Sequence, residues 1–294
     1  MLASSRFRSE PMGMRDRPAG LVRGASLGVA LVLLVVAFGL YRQAEWATRL
    51  WALAGVRMDY VFLAGIVVSI ATPISWAAWR NEPAVLGALG MTLGFGGTAL
   101  GIYQLWLGLD RSDQDLVLGG IGFLVAGLAS AALWRWARQL PLQDQRRLPG
   151  SVRVGLAVLT IVLVVIGIPL LFQVEDIFPW RLTPEMSTMF GMIYLSAALL
   201  FGWTAIYPRW PYGEAALTAF LGYALVLAVP YIDLLRDRDD PVAIADYYGG
   251  FSTTASSAGD AINMASLEVY LVTLAAGSLL AVWLYIRGLT RSSE

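Results

Sequence analysis

Cysteine, histidine and lysine are all absent from this chain. Without cysteine there is no disulfide and no thiolate chemistry. Without histidine there is no imidazole ligation of haem, chlorophyll, zinc or copper. Without lysine no Schiff base or other lysine nucleophile can form, because all 21 cationic side chains are arginine. Arginine-only usage fits a GC-rich coding sequence as readily as a functional demand. Charge is scarce as well. Only 14% of residues are charged, against about a quarter in a soluble domain. The net charge is zero, so no global field recruits nucleic acid.

In place of charge the chain is 57% hydrophobic. Its apolar residues fall in recurrent runs of about twenty, each able to cross a hydrocarbon core about 30 Å thick. The chain therefore reads as an all-α, polytopic membrane helix bundle with eight transmembrane helices. These are Gly24–Tyr41, Tyr60–Trp79, Ala84–Leu107, Asp115–Trp136, Val152–Phe172, Pro184–Tyr207, Glu214–Asp233 and Leu267–Ile286. The corresponding plan is a disordered tail at 1–23, a first four-helix unit at 24–140, a linker at 141–151, a second unit at 152–288 with a long loop at 234–266, and a tail at 289–294. The first apolar run is too long for a signal-peptide core and has no small-x-small cleavage site close behind it, so it reads as a retained helix. Residues 42–58 interleave Trp46, Leu50, Trp51 and Leu53 with Arg42, Glu45, Arg49 and Arg57, the composition of an amphipathic segment lying at the interface.

Orientation follows from arginine counts near the helix ends. With the N-terminus inside, fourteen arginines lie on inner segments and seven on outer ones, and the loop carrying Arg138, Arg146, Arg147 and Arg153 decides the matter. Both termini are then cytoplasmic. Tryptophan agrees with that topology. Trp76, Trp79, Trp134, Trp136, Trp203, Trp210 and Trp283 fall at inner ends, and Trp46, Trp51, Trp106 and Trp180 at outer ends, as two interfacial belts.

Helices one to three and five to seven share a layout, with Trp76-Ala77-Ala78 recurring as Trp203-Thr204-Ala205. The offset is about 127 to 132 residues, in the same orientation. This predicts a parallel 4+4 internal repeat related by an axis along the membrane normal.

The most patterned loop is Phe178-Pro179-Trp180-Arg181-Leu182-Thr183-Pro184-Glu185. Thr183 suits an N-cap, Pro184 the first helical position, and Glu185 the positive end of the helix dipole. Phe178 and Trp180 read as anchors at the outer interface. A functional reading makes Trp180, Arg181 and Glu185 an outer binding pocket. With Phe190, Gly191 and Tyr194 the loop resembles a group of bacterial multi-pass membrane proteins that have a Phe-x-Trp-x-Leu/Ile-x-Pro loop before a Phe-Gly-x-x-Tyr helix. That group has no established activity, so the resemblance carries no catalytic residue. Its members tend to bear histidine after the seventh helix, where this chain has Tyr231 and Asp233.

Ionisable residues sit only at helix ends: Asp59, Arg80, Glu82, Asp115, Glu214, Asp233 and Glu268. That argues against proton coupling, voltage sensing and ion pumping. Deep polar groups are of the Ser69, Thr72, Gln104 and Ser196 kind, suited to bonding the backbone or a neighbouring helix. Pro73 and Pro169 read as kinks rather than breaks. Four-spaced small residues, Gly90/Gly94, Gly97/Gly101 and Gly122/Ala126/Ser130, mark a packing seam between the third and fourth helices, or alternatively a seam to a homodimer or partner subunit. In the long loop the charged cluster from Arg236 to Asp246 lacks the ligand spacing of a calcium loop. The last helix is expected to start near Ala258 and to present Asp260, Met264 and Glu268 as a stripe for an outer partner.

The residue types favour a non-catalytic integral membrane protein, an accessory or structural subunit of a membrane complex. It would have no cofactor, no metal, and the lipid bilayer and other membrane subunits as its partners. A carrier of an apolar or lipid-like solute is the second reading. A lipid-modifying enzyme acting through Asp233, Asp237 or Glu185 is the third. Single-cysteine labelling on this cysteine-free background should mark position 146 from the cytoplasmic side and position 239 from outside; labelling of 146 from outside alone would reverse the orientation.

Overall fold

The computed structural model describes residues 16–53, 55–174, 177–178, 180, 182–236 and 264–290. These form helices α1 (Asp16–Tyr41), α2 (Glu45–Thr48), α3 (Arg57–Arg80), α4 (Leu86–Arg111, entered through a 3-10 turn at Pro83–Val85), α5 (Gln114–Ala137), α6 (Gly150–Leu171), α7 (Pro184–Ile206), α8 (Trp210–Arg236) and α9 (Met264–Thr290). Seven of them, α1 and α3 to α8, are long and apolar enough to cross a membrane; the apolar stretch of α9, Glu268–Trp283, is shorter. The architecture is an all-α polytopic bundle.

Two layers of helices follow from composition. Half or more of each apolar segment of α3, α4, α7 and α8 is buried, against less than a fifth in α1, α5 and α6. The exposed helices are the more apolar ones, because their outward faces meet lipid tails rather than water. The interior helices carry Gln104 and more of the serine and threonine hydroxyls than α1, α5 and α6. With lipid as apolar as leucine, close backbone approach and polar contacts hold such helices together. Within the interior α3 packs on α8, and α4 on α7. Around it α1 lies on α3, α5 on α4, α6 on α7 and α9 on α8.

The hydroxyls behave locally. Ser75, Thr92, Thr98, Thr160, Ser196, Thr204 and Thr273 donate to the carbonyl four residues back, and Ser69 to the carbonyl three back. Thr72 donates both to Val68 O and, across to α8, to Thr218 O. Neither proline interrupts its helix: α3 runs on through Pro73, and α6 ends two residues past Pro169. Helix ends turn sharply at left-handed residues, Gln43, Asn81, Ser112 and Gln173, with φ of 52° to 57°.

The α4–α5 seam is a glycine zipper with a register different from the expected one. A Cβ on Gly97 would lie 3.0 Å from Gly127 Cα, and one on Gly101 2.8 Å from Gly120 O; Gly90 and Gly94 are closed off by Ser130 O and Ala131. The α4 half of the expected seam therefore faces α5. On α5 the contact is made by Gly120, Gly127 and Ala131, with Ser130 contributing its carbonyl. Gly122 and Ala126 are exposed on the opposite side, and a Cβ at Gly122 would meet nothing within 4 Å. A helix that is apolar all round gives no sign of which small residues turn inward.

The tryptophan belts are likewise thinner than expected. Trp79, Trp136 and Trp283 at one end, and Trp46 and Trp106 at the other, are exposed, but Trp51, Trp76, Trp180 and Trp210 are buried. Part of the 42–58 segment is core too: Ala47, Trp51 and Leu53 are buried, while Trp46 and Leu50 face outward.

Gly97→Leu should cost about 1–3 kcal/mol through overpacking, read as a lower midpoint of denaturant unfolding in detergent. Gly122→Leu should change stability by less than about 0.5 kcal/mol. The reverse order would relocate the seam.

Candidate functional site

At the end of the bundle where α3, α7 and α9 begin and α8 finishes, the chain between α6 and α7 folds inward. Thr183 caps α7, its Oγ1 accepting from Met186 N at 3.2 Å, with Pro184 at the first helical position. Just before that cap, Phe178 and Trp180 are each 3% exposed. They are therefore not interfacial anchors; they plug the bundle. Phe178 sits edge-on to Phe62 (5.4 Å between centroids) and to Trp180 (4.8 Å), and Phe62 in turn packs on Phe190 (4.4 Å) and Tyr194 (5.8 Å). Edge-to-face pairs of this kind stabilise by about 0.5–1.5 kcal/mol each beyond their area burial.

The plug is polar at one point. Trp180 Nε1 donates to Asp59 Oδ1 at 2.8 Å, and Asp59 Oδ2 accepts from Val56 N at 2.9 Å. Asp59 is 3% exposed, so this helix-end carboxylate lies in the core. It sits in the first turn of α3, where the helix dipole favours negative charge. Deeper in, three tyrosines from three helices meet. Tyr194 of α7 and Tyr270 of α9 are 2.6 Å apart at their hydroxyls, and Tyr223 of α8 bonds Tyr270 and lies 3.5 Å from Tyr194. A phenol donates once and accepts twice, so the three hydroxyls satisfy one another and tie α9 to the interior. Tyr231 packs against Tyr270, with ring centroids 5.3 Å apart and the planes tilted by 49°.

The residues proposed for an outer pocket separate. Trp180 is committed to Asp59, whereas Glu185 pairs with Arg111 at the end of α4. Glu268 is exposed in the first turns of α9. Arg181, Asp260, the Ala258 helix start and the cluster from residue 237 to 246 lie outside the described residues. Sequence reading missed the Asp59–Trp180 pair and the tyrosine triad, which join residues 121, 29 and 76 apart. The nearest signal was the Phe190-Gly191-Tyr194 patch.

The opposite end is built around the 138–149 linker. Glu82 (5% exposed) accepts from Gln143 N at 3.1 Å and from Asp144 N at 2.7 Å. Asp144 pairs with Arg146 at 2.6 Å, and that guanidinium's hydrogen bonds hold its carboxyl below the usual carboxylate range. Buried Glu214 pairs with Arg80 at 3.6 Å. The linker then runs antiparallel to the α7–α8 turn, Leu148 N donating to Pro208 O (3.0 Å) and Trp210 N to Arg146 O (2.9 Å), so that Arg147 and Arg209 lie opposite each other. Beside this bridge opens a cavity of about 610 Å³, lined by Arg147, Arg153, Arg209, Trp203, Tyr207 and Tyr212 among others.

No family model, no curated protein and no solved structure matches the chain.

Trp180→Phe removes the indole donor and leaves Asp59 with Val56 N alone, a cost expected at about 1–3 kcal/mol. Asp59→Asn should cost less in the Trp180→Phe background than in the native protein, giving a coupling above about 0.5 kcal/mol in a double-mutant unfolding cycle. Strict additivity would mean that the hydrogen bond does not carry the plug.

Proposed function

We propose that this chain is a non-catalytic integral membrane protein, an accessory or structural subunit of a larger membrane assembly. In this reading eight helices cross the bilayer as two like-oriented sets of four, with both termini cytoplasmic. The observation that carries the functional reading is the plug. At the end of the bundle where outer loops converge, the chain's own Phe178 and Trp180 fill the space between helices, and the polar groups they bury are spent on one another. Asp59 is used by Trp180 and Val56, and the three tyrosines by each other. Such an arrangement makes a rigid body rather than a reaction centre. The enzyme reading finds little support: Glu185 is held by Arg111, Asp237 is not among the described residues, and no three carboxylates converge among those that are.

The order of packing supports the repeat. Exchanging α1 with α6, α3 with α7, α4 with α8 and α5 with α9 maps each main helix contact onto another: α1–α3 onto α6–α7, α4–α5 onto α8–α9, and α3–α8 onto α7–α4. Helix ends agree. α1 and α6 each finish at a left-handed glutamine, Gln43 and Gln173, 130 residues apart. The same pair of capping bonds closes each end, Gln43 N to Leu40 O with Ala44 N to Gly39 O, and Gln173 N to Leu170 O with Val174 N to Pro169 O. The α3 and α7 starts, at Arg57 and Pro184, are 127 apart, as are Trp76 and Trp203.

A carrier or binding protein for a lipid-like solute is the second reading, and the aromatic-walled cavity at the linker end favours it. Purified from native membranes in mild detergent, the protein should travel in native mass spectrometry with at least one other polypeptide at fixed stoichiometry. A monomer holding only lipid would replace the first reading with the second.

A further inference from the structure

We propose that the cavity at the linker end is a binding site for a phosphate-bearing anion, held by Arg147, Arg153 and Arg209. Three independent features of the site point there. The first is an uncompensated charge. Arg147 and Arg209 form an antiparallel pair flanked, not joined, by backbone hydrogen bonds. In such a pair the Cα atoms are about 4.5 Å apart and the side chains lean together, and like charges placed opposite each other are destabilising. Among the described residues no carboxylate pairs with them. The nearby carboxylates are taken, Asp144 by Arg146, Glu82 by two backbone amides and Glu214 by Arg80. Among the described residues none of Arg147, Arg153 and Arg209 is in an ion pair.

The second feature is preorganisation. Arg153 Nε donates to Ala205 O at 2.8 Å, and Arg209 Nη1 donates to Gln145 O at 3.0 Å. Each guanidinium is thus held by one donor while the others remain for a ligand. Planar forks of this kind match phosphate oxygens two at a time. The third feature is amphipathy. The same cavity is walled by Trp203, whose ring lies 4.3 Å from that of Tyr207 and whose buried Nε1 has no hydrogen-bond partner among the described residues. Tyr207 is 50% exposed at the end of α7, so the cavity opens where the helix leaves the apolar layer. A cationic floor beside an apolar, open wall suits a phospholipid headgroup whose chains lie along the helices. A soluble phosphate satisfies the same arginines but leaves the wall unused.

The site is compatible with either functional reading, since a structural lipid serves an accessory subunit and a bound lipid serves a carrier. The test uses the full chain, delipidated in mild detergent and re-supplied with phosphatidylglycerol, phosphatidylcholine or inorganic phosphate, and read by native mass spectrometry and thermal shift. Phosphatidylglycerol should be retained at one molecule per chain and should raise the Tm. The Arg147 side chain makes no hydrogen bond among the described residues; Arg147→Gln should weaken that binding about tenfold, and Arg147→Gln with Arg209→Gln by more. Arg135→Gln with Arg138→Gln, at the same end but outside the cavity, should leave it unchanged. Stabilisation by phosphate as strong as by phosphatidylglycerol assigns the site to a soluble anion; a response to phosphatidylglycerol alone assigns it to the lipid. Equal retention of phosphatidylcholine and phosphatidylglycerol, no response to any of the three, or undiminished binding in the folded Arg147→Gln variant would overturn the proposal.

Discussion

One hydrogen bond, from the Trp180 indole to the buried Asp59 carboxylate, holds the chain's centre of organisation in place. A carboxylate this deep would be costly without donors. It has two, one from its own helix start and one from a loop 121 residues away. Satisfying Asp59 therefore requires the loop before α7 to come inside. Once inside, it brings Phe178 onto Phe62, and Phe62 onto Phe190 and Tyr194. The aromatic stack and the tyrosine triad then join α3, α7, α8 and α9 in one core. In a bundle whose outer helices gain nothing from exchanging lipid contact for protein contact, such specific links decide how the helices sit.

The rest of the interior relies on closeness. Gly96 against Ser196, Gly65 against Tyr223, Gly191 against Gly167 O and the α4–α5 zipper leave little or no room for a side chain. Each allows backbones to approach until dispersion and weak polar contacts add up. Hydroxyls along these helices mostly return to their own backbone, which removes the cost of carrying them in an apolar medium. The two strategies divide the molecule: glycine contacts along the helices, aromatic and polar closure at one end.

The two ends are chemically unlike. At the plugged end, Asp59, Trp180 and the three tyrosine hydroxyls are matched inside the protein. At the linker end, carboxylates are matched to arginines or amides one by one until three arginines remain around a cavity. That asymmetry is what makes the linker end the place to seek a ligand, although its residues lie on a connecting segment and two helix ends rather than in any recognisable motif.

Much of this was legible along the chain. The helices, their approximate ends and the Thr183–Pro184 cap all depend on interactions within a few residues, and apolar run length and cap residues report them directly. What the tertiary structure alone decided is rotation and long-range partnership. Gly120 and Gly127, not Gly122 and Ala126, face α4; Trp180 points into the core instead of the interface; Glu185 meets Arg111; Arg147 meets Arg209. The reason is the solvent. In water an inward face announces itself by being apolar, but beside lipid both faces of a helix are apolar, so the periodic signal that would orient it is lost. Only the fit of one helix against another selects the face.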